Sequence, residues 1–190
     1  MTKQHTNSIK KYISYREALD AAGPFAYFVT CTFQVKLSAD DAAQALQTIQ
    51  NRVNRKLFGS RWREKDGAFL QGYAILEHAS ILGGCQKPSR KSKAATSTKA
   101  NSACHYHMLI KPNERLSTKY GLDDCIALKR AYREAAEPLK LGRSGAKLVN
   151  NESGIDVKMV HDQKRLVGYC LKDIAKDGWS WDTNVVYLGR

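Results

Sequence analysis

The stretch 104–112, CHYHMLIKP, places two histidines one residue apart inside an otherwise apolar run that ends at a proline. In a β-strand, successive side chains point to opposite faces of the sheet. The pattern therefore predicts a strand with His105 and His107 on one face. The intervening side chains, Tyr106 and Met108, then point to the other face. Two imidazoles on one face indicate either a half-exposed strand with a polar face or an incomplete metal site.

Length and composition indicate one globular domain over residues 1–190. At 190 residues, 43% of them hydrophobic, the chain is long enough to bury a sizeable core. Its apolar runs fall short of the about 18 residues that cross a bilayer, and its N-terminus lacks the apolar segment of a secretory signal. We therefore expect a soluble cytoplasmic protein. Five scattered cysteines without a C-x-x-C pair predict free, largely buried thiols.

The net charge of the chain favours a polyanionic partner. Its 31 basic and 18 acidic residues give a formal charge of +13 at pH 7. A basic surface gains binding energy from nucleic acid because neutralised phosphates release condensed counterions. The chain has no evident basic amphipathic segment that would anchor it to a membrane surface. We therefore expect a nucleic acid partner and no membrane.

Hydrophobic periodicity predicts an α+β protein. The strongly patterned segments, in chain order, are a strand (24–35), a helix (38–58), a strand (68–79), a strand (about 104–111), a helix (121–140, ended near Pro138), a strand (153–160) and a helix (161–178). The tail after 178 is expected to add an edge strand. The order β-α-β-β-α-β-α is typical of an antiparallel sheet with helices packed on one face.

A third metal ligand is predicted on the strand that precedes the two histidines. Strands 68–79 and 104–111 read as a long hairpin, and Glu77 lies in an apolar run where an unpaired carboxylate is costly to bury. If the cross-strand register brings Glu77 beside His105 and His107, the three form a compact site with open coordination positions. His78 points to the opposite face by alternation and is the weaker alternative.

A candidate nucleophile lies on the last predicted helix. Tyr169 and Lys172 are three residues apart and share a helix face, with Arg165 one turn earlier. A tyrosine among cations, on a helix that packs near the metal face, is suited to act as an oxygen nucleophile. The alternative is a core tyrosine with two solvated basic neighbours.

Taken together and in order, these motifs resemble those of the HUH endonuclease superfamily, and specifically its single-tyrosine rolling-circle replication initiators (Rep proteins). The hydrophobic-Thr strand FVTCTF (28–33), His105-Tyr106-His107 and the Tyr-x-x-Lys of 169–172 match the three family motifs in order. The resemblance spans roughly residues 25–176 and implies an RRM-like or ferredoxin-like fold. The connection from Glu77 to His105 is longer than in compact members. We expect no helicase domain of the kind that eukaryotic-virus members have, which indicates the smaller plasmid, phage or archaeal-virus type, acting in the cytoplasm of its host cell.

The resemblance implies a metal-dependent nickase and ligase of single-stranded DNA. Mg²⁺ or Mn²⁺ would be held by Glu77, His105 and His107, and Tyr169 would attack the scissile phosphate to leave a 5′-phosphotyrosine and a free 3′-OH. Lys172 would stabilise the charge on the phosphotyrosine or orient the phosphate. The implied partners are an origin strand or hairpin and the host replication machinery, and transposase-type or relaxase-type activity remains an alternative.

The segment 85–103 carries basic residues and no acidic one, and we expect a mobile loop that clamps DNA near the site. Together with Arg165, the nucleic-acid-binding candidates are Lys87, Arg90, Lys91, Lys93 and Lys99. The alternative for this loop is a disordered solubilising segment. Thr30 and Thr32 are expected to be architectural, with one of them facing the core.

Three other interpretations compete with the nickase. A structural zinc module would use Cys85, Cys104 and the two histidines, but alternation turns Cys104 away from them. A histidine-triad hydrolase would need a third histidine where Leu109 stands. A non-catalytic, basic nucleic-acid-binding module with a structural metal site would leave Tyr169 without a chemical role.

Overall fold

The computed structural model describes most of the chain, namely residues 3–35, 37–77, 104–141, 145–150, 153–174 and 179–189. Its helices are α1 (Lys3–Ala22), α2 (Ala39–Phe58), α3 (Glu114–Tyr120), α4 (Asp124–Ala136), α5 (Gln163–Cys170) and α6 (Trp181–Asn184). Its strands are β1 (Tyr27–Thr32), β2 (Gly72–Glu77), β3 (His105–Ile110), β4 (Lys140–Leu141), β5 (Ala146–Lys147), β6 (Ile155–Met159) and β7 (Val185–Leu188).

In the described part of the chain, the main sheet is antiparallel and has the strand order β6-β1-β3-β2-β7. The short strands β4 and β5 pair with each other in a separate ladder. The predicted α+β class and the antiparallel pairing of β2 with β3 are confirmed. The tail forms the predicted edge strand, because β7 pairs with β2.

Helix α2 shows why the sequence forms the elements that were predicted. Ser38 caps its N-terminus by accepting a hydrogen bond from the backbone N–H of Asp41, at 3.1 Å. Gly59 ends the helix with φ at +92°, in a region that favours glycine. Between these caps, apolar residues at helical spacing, Leu46 and Ile49 among them, are fully buried against the sheet.

Helices cover both faces of the sheet, so the prediction that they pack on one face is wrong. On one face, α2 and α4 bury strand residues such as Val29 and Met108. On the other face, α1 and α5 bury Ile75 and Leu109. The second face is apolar at its centre, and a sheet with two apolar centres needs a helical layer on each side.

Three helices were not predicted, and the last predicted helix is shorter than expected. Helix α1 has few apolar positions, yet it packs on α5 through the fully buried Leu19. Helices α3 and α6 were also missed. Helix α5 ends at Cys170, where the i→i−4 bond from Leu171 to Val167 is followed by tighter i→i−3 bonds: the N–H of Lys172 bonds to the carbonyl of Tyr169, and that of Ile174 to the carbonyl of Leu171. Residues 171–174 continue as turns, and 175–178 lie outside the described residues.

The described residues agree with the expectations on membranes and cysteines as far as they reach. None of the helices in these ranges combines the length and apolar character that a membrane span requires. The described cysteines, Cys31, Cys104, Cys125 and Cys170, form no disulfide with one another, and all but Cys125 are buried. Cys85 lies outside the described residues.

Helix α1 should contribute measurably to stability through its buried face. We expect Leu19→Ala to lower the free energy of unfolding by about 2–4 kcal/mol, because it removes a fully buried side chain between α1 and α5. Urea unfolding followed by circular dichroism measures this loss. The matched control is Ile13→Ala on the same helix, where the side chain is 48% exposed and the change should stay within about 0.5 kcal/mol. Equal losses in the two variants would contradict the packing of α1 described above.

Candidate active site

The register of the β2–β3 hairpin places the candidate ligands side by side. Glu77 is the direct cross-strand partner of His105, and Ile75 is that of His107. On the other side of β3, Thr30 pairs with His107. Because side chains alternate, Glu77 and both histidines project from the same face, as the sequence predicts.

The carboxylate of Glu77 accepts hydrogen bonds from both imidazoles through one oxygen. Its Oε2 lies 2.9 Å from Nε2 of His105 and 2.8 Å from Nε2 of His107. The potential ligand atoms of the three residues all lie within 4.8 Å of one another. His107 is nearly buried, whereas His105 and Glu77 keep part of their side chains exposed. The predicted convergence of these three residues is therefore present.

Lys172 contacts the other oxygen of the same carboxylate. Its Nζ lies 2.8 Å from Oε1 of Glu77 and 4.0 Å from the centroid of the Tyr169 ring. Lys172 lies in the turn after α5, and its backbone N–H bonds to the carbonyl of Tyr169 at 3.2 Å. It therefore reaches the site from just beyond the helix, and not from within it as the sequence suggested. The ammonium group joins the carboxylate to the candidate nucleophile.

The environment holds these groups in the protonation states that a metal ligand needs. Burial alone would raise the pKa of Glu77, but hydrogen bonds from Lys172 and His107 lower it to about 2. Burial lowers the pKa of His107, and the hydrogen bond to Glu77 offsets this only in part. Burial also works against the charge of Lys172, but its bonds to Glu77 and Tyr169 raise its pKa. At neutral pH the site therefore offers an ionised carboxylate and a neutral imidazole.

Two residues of β1 support His107, and neither was predicted to do so. Oγ1 of Thr30 lies 3.3 Å from Nδ1 of His107, and the ring of Phe28 stacks on the imidazole at 5.2 Å. In the neutral tautomer that donates from Nε2 to Glu77, Nδ1 accepts a hydrogen bond from the hydroxyl of Thr30. In the other tautomer, Nδ1 donates to Thr30, and the lone pair of Nε2 would be free to bind a metal. Thr30 and Thr32 both border the cleft on this face, so the expectation that one of them faces the core is wrong. The local sequence contains no signal of the contact between Thr30 and His107, because it depends on the pairing of β1 with β3.

Tyr169 lies beside the histidines on the same face of the sheet. Its ring centroid is 5.1 Å from that of His107 and 6.3 Å from that of Phe28. The side chain is 44% exposed, so this is not a core tyrosine. Tyr169 lines an open cleft of about 550 Å³ together with both histidines and Arg165. The structure thus brings the phenol, the two imidazoles and the carboxylate to one place.

Several predicted residues lie outside the described part of the chain. They are the alternative ligand His78 and the loop 85–103, with its candidates Lys87, Arg90, Lys91, Lys93 and Lys99. Their predicted roles remain predictions. Among the nucleic-acid-binding candidates, Arg165 is described, and it lies on the wall of the cleft beside Tyr169.

The positions of Cys104 and Leu109 disfavour two of the competing interpretations. Cys104 is 1% exposed and points into the core on the face opposite the histidines, so it cannot join them in a zinc site. Leu109, at the position that a histidine triad would need, is fully buried beneath α5. Within the described residues, the possible metal-binding cluster consists of Glu77, His105 and His107.

The carboxylate of Glu77 should control metal binding without being needed for folding. We expect Glu77→Gln to weaken Mn²⁺ binding at least about tenfold, because a neutral amide is a poor ligand for a hard divalent cation. Isothermal titration of Mn²⁺, Mg²⁺, Zn²⁺ and Fe²⁺ measures the loss, and circular dichroism checks that the variant is folded.

The matched control for this experiment is Glu134→Gln on α4, where the carboxylate forms a surface ion pair with Lys56 at 2.9 Å. It should leave every titration unchanged. A Glu77→Gln protein that binds all four ions like the parent would remove Glu77 from the ligand set and point to another residue, such as His78.

Comparison with known proteins gives no relative from which a function could be transferred. No protein-family model, curated protein or solved structure matches this chain. The function must therefore be inferred from the geometry and chemistry of the site itself, together with the motifs of the sequence.

Proposed function

We propose that this protein is a metal-dependent nickase and ligase of single-stranded DNA that cuts a replication origin through Tyr169. The observation that carries the proposal is that Glu77, His105, His107, Lys172 and Tyr169 meet on one face of the sheet, beside one open cleft. A carboxylate–imidazole cluster, a cation and an exposed phenol are the groups that phosphoryl transfer to tyrosine requires.

The strand order supports the fold that goes with this function. Strands β6-β1-β3-β2 and the helices α2 and α4 on one face are arranged as in a ferredoxin-like β-α-β-β-α-β domain. We infer that this is the HUH version of that fold, with β1 and β3 carrying the first two motifs at its centre. Helix α1 and strand β7 are additions outside this unit.

The donor set fits a divalent cation such as Mn²⁺ or Mg²⁺. Neighbouring ligand atoms of an octahedral ion with bonds of about 2.1 Å lie about 3 Å from each other. The distances from Oε2 of Glu77 to Nε2 of His105 (2.9 Å) and to Nε2 of His107 (2.8 Å) are close to this value. Two imidazoles and one carboxylate leave coordination positions open for substrate oxygens. When bound, the ion would act as a Lewis acid on a nonbridging oxygen of the scissile phosphate and on the departing 3′ oxygen.

In the proposed step, the phenol oxygen of Tyr169 attacks the phosphorus. The new bond joins Tyr169 to the 5′ phosphate, the bond from phosphorus to the 3′ oxygen breaks, and that oxygen leaves as a free 3′-OH after taking up a proton. The phenol loses its proton to solvent. Because one phosphoester replaces another, the reverse reaction can rejoin the ends without ATP.

Lys172 and Arg165 have separate roles in this proposal. The ammonium of Lys172 contacts both Glu77 and the ring of Tyr169, so it holds the nucleophile next to the metal ligands and stabilises negative charge on the phenol oxygen. Arg165 is one turn earlier on α5, on the cleft wall, where it can contact a flanking phosphate.

The replication role comes from the resemblance to single-tyrosine initiators. Relaxases and transposases of the superfamily share the same chemistry. The site therefore supports DNA cleavage through a tyrosine more directly than it supports a role in replication. A non-catalytic nucleic-acid-binding module is the second candidate, and the exposure of Tyr169 beside the metal ligands favours the enzyme.

Covalent trapping tests the reaction. A 3′-fluorescent pool of single-stranded oligonucleotides, with random cores and hairpins, is incubated with protein and Mn²⁺ and separated on a denaturing protein gel. We expect a fluorescent protein band, because the 3′ fragment carries both the label and the 5′ phosphate that links to Tyr169. Tyr169→Phe should abolish the band, and His105→Ala/His107→Ala should reduce it at least about a hundredfold.

The control for the nucleophile is Tyr187→Phe on β7, where the tyrosine is similarly exposed at 54%. It should form the adduct at the parent level. An adduct that persists in Tyr169→Phe would disprove the nucleophile, and cleavage that survives the double histidine variant would disprove the metal role. The parent protein failing to form any adduct with Mn²⁺ or Mg²⁺ would leave the binding module as the better interpretation.

The basic residues of the predicted loop 85–103 should contribute to the affinity for DNA and to its salt dependence. Replacing Lys87, Arg90, Lys91, Lys93 and Lys99 by glutamine should reduce the magnitude of the slope of log affinity against log salt by up to about 3.5, since each phosphate contact on a single strand contributes about 0.7. Fluorescence anisotropy from low to moderate salt measures the slope. An unchanged slope would favour the solubilising role of the loop.

A further inference from the structure

The cleft beside Tyr169 extends away from the metal ligands along the end of β6 and the first turn of α5. Its apolar wall is formed by Phe28 on β1, Val160 after β6 and Leu166 on α5, and Met159 is at its mouth with 45% of its surface exposed. Tyr169, His105 and His107 line the part of the cleft that adjoins the candidate metal centre, together with the hydroxyl-bearing Thr30 and Thr32. At about 550 Å³, the cleft has room for a nucleoside.

Positively charged side chains also line this cleft. Lys158 and Arg165 are both exposed and line it, and His161 lies between them in the sequence. In the part of the chain that the structure describes, the guanidinium of Arg165 forms no ion pair. Asp162 also lines the cleft, but its carboxylate caps α5 by accepting the backbone N–H of Arg165 at 2.9 Å. Lys158 shares Asp156 with Lys129, which leaves that group of charges net positive.

The cleft combines apolar and aromatic side chains with cations. This combination suits a nucleotide better than a bare phosphate, which has no apolar part. The planar base gains from apolar and aromatic contact, and the phosphate that follows it gains from the cations. Phe28 already stacks on His107, so a ring on this wall continues an existing aromatic layer. A duplex could not present a base here without extruding it, whereas a single strand can.

We propose that this cleft binds one nucleobase of the single-stranded substrate, in the nucleotide adjacent to the scissile phosphate, with Arg165 on its phosphate. The inference rests on the proposed function for the nature of the strand. It adds a specific binding subsite, formed by Phe28, Met159, Val160 and Leu166, whose contribution to affinity depends on the presence of a base.

The experiment compares DNA with and without bases in the absence of divalent metal. Fluorescence anisotropy in EDTA and at fixed salt measures the affinity of dT12, dC12, dA12 and an abasic 12-mer that has the same phosphates. The cleft variants are Met159→Ala and Leu166→Ala, and their matched control is Ile126→Ala on α4, where isoleucine is 62% exposed. Met159 is a surface residue, so Met159→Ala should fold normally. It therefore tests the subsite even if Leu166→Ala is destabilised.

We expect each cleft variant to weaken homopolymer binding by about three- to tenfold, as for the loss of apolar contact with one base, and to leave abasic binding within twofold of the parent. Arg165→Ala should weaken both kinds of DNA by the same factor, because the guanidinium contacts a phosphate. Its control, Arg130→Ala on the exposed surface of α4, should weaken neither beyond a small salt-dependent change.

Three results would overturn the inference: equal losses on abasic and base-containing DNA, no loss in either cleft variant, or a parent protein that binds none of the homopolymers more tightly than the abasic strand. Because no metal and no cleavage are involved, the outcome is independent of the adduct assay. An adduct without base dependence would leave the nickase and remove the subsite. Base dependence without an adduct would leave the subsite on a binding protein.

Discussion

One carboxylate, that of Glu77, joins three separate parts of the structure. Its two oxygens divide their hydrogen bonds, with both imidazoles on Oε2 and the ammonium of Lys172 on Oε1. A partly buried carboxylate is costly unless such partners compensate for its lost hydration. The same contacts tie β2 to β3 and bring the end of α5 to the sheet. The candidate nucleophile is positioned as a consequence, because Lys172 also lies over its ring.

This arrangement depends on the register of the sheet. Glu77 and His105 are opposite each other, and a slip by one residue would turn either side chain toward the core. The apolar residues between them prevent that slip, since Leu76, Tyr106 and Met108 are buried on the other face. The positions of the polar groups are therefore fixed by the packing of their apolar neighbours.

The alternation in β3 and the Glu77 position could be predicted because they follow from the period of a strand. Other features depend on contacts between distant segments. Helix α1 has weak amphipathic character, so its docking through Leu19 is evident only once the apolar second face of the sheet is known. The early end of α5 follows from its last hydrogen bonds.

The site itself was predicted as a set of residue types, and its supporting contacts were not. Phe28 and Thr30 belong to the predicted first motif, but that motif did not identify them as neighbours of a ligand, because their contact with His107 requires the pairing of β1 with β3. Cross-strand partners separated by 77 residues cannot be identified from local periodicity. The face of a strand is thus a local property, whereas the neighbours on that face are set by the topology of the sheet.

The charges of the site explain why metal and substrate would depend on each other. The ionised carboxylate of Glu77 and the ammonium of Lys172 cancel, and His107 is held neutral by burial. A divalent cation bound there brings two uncompensated positive charges into a partly buried place, which favours an anionic ligand in the open positions. A phosphodiester supplies that charge, and its own binding is favoured by the cation in the same measure. Because the charges of Glu77 and Lys172 cancel, the charge of a bound metal ion is left for the substrate to neutralise. Under the proposed function, the phosphate of the DNA therefore completes the metal site.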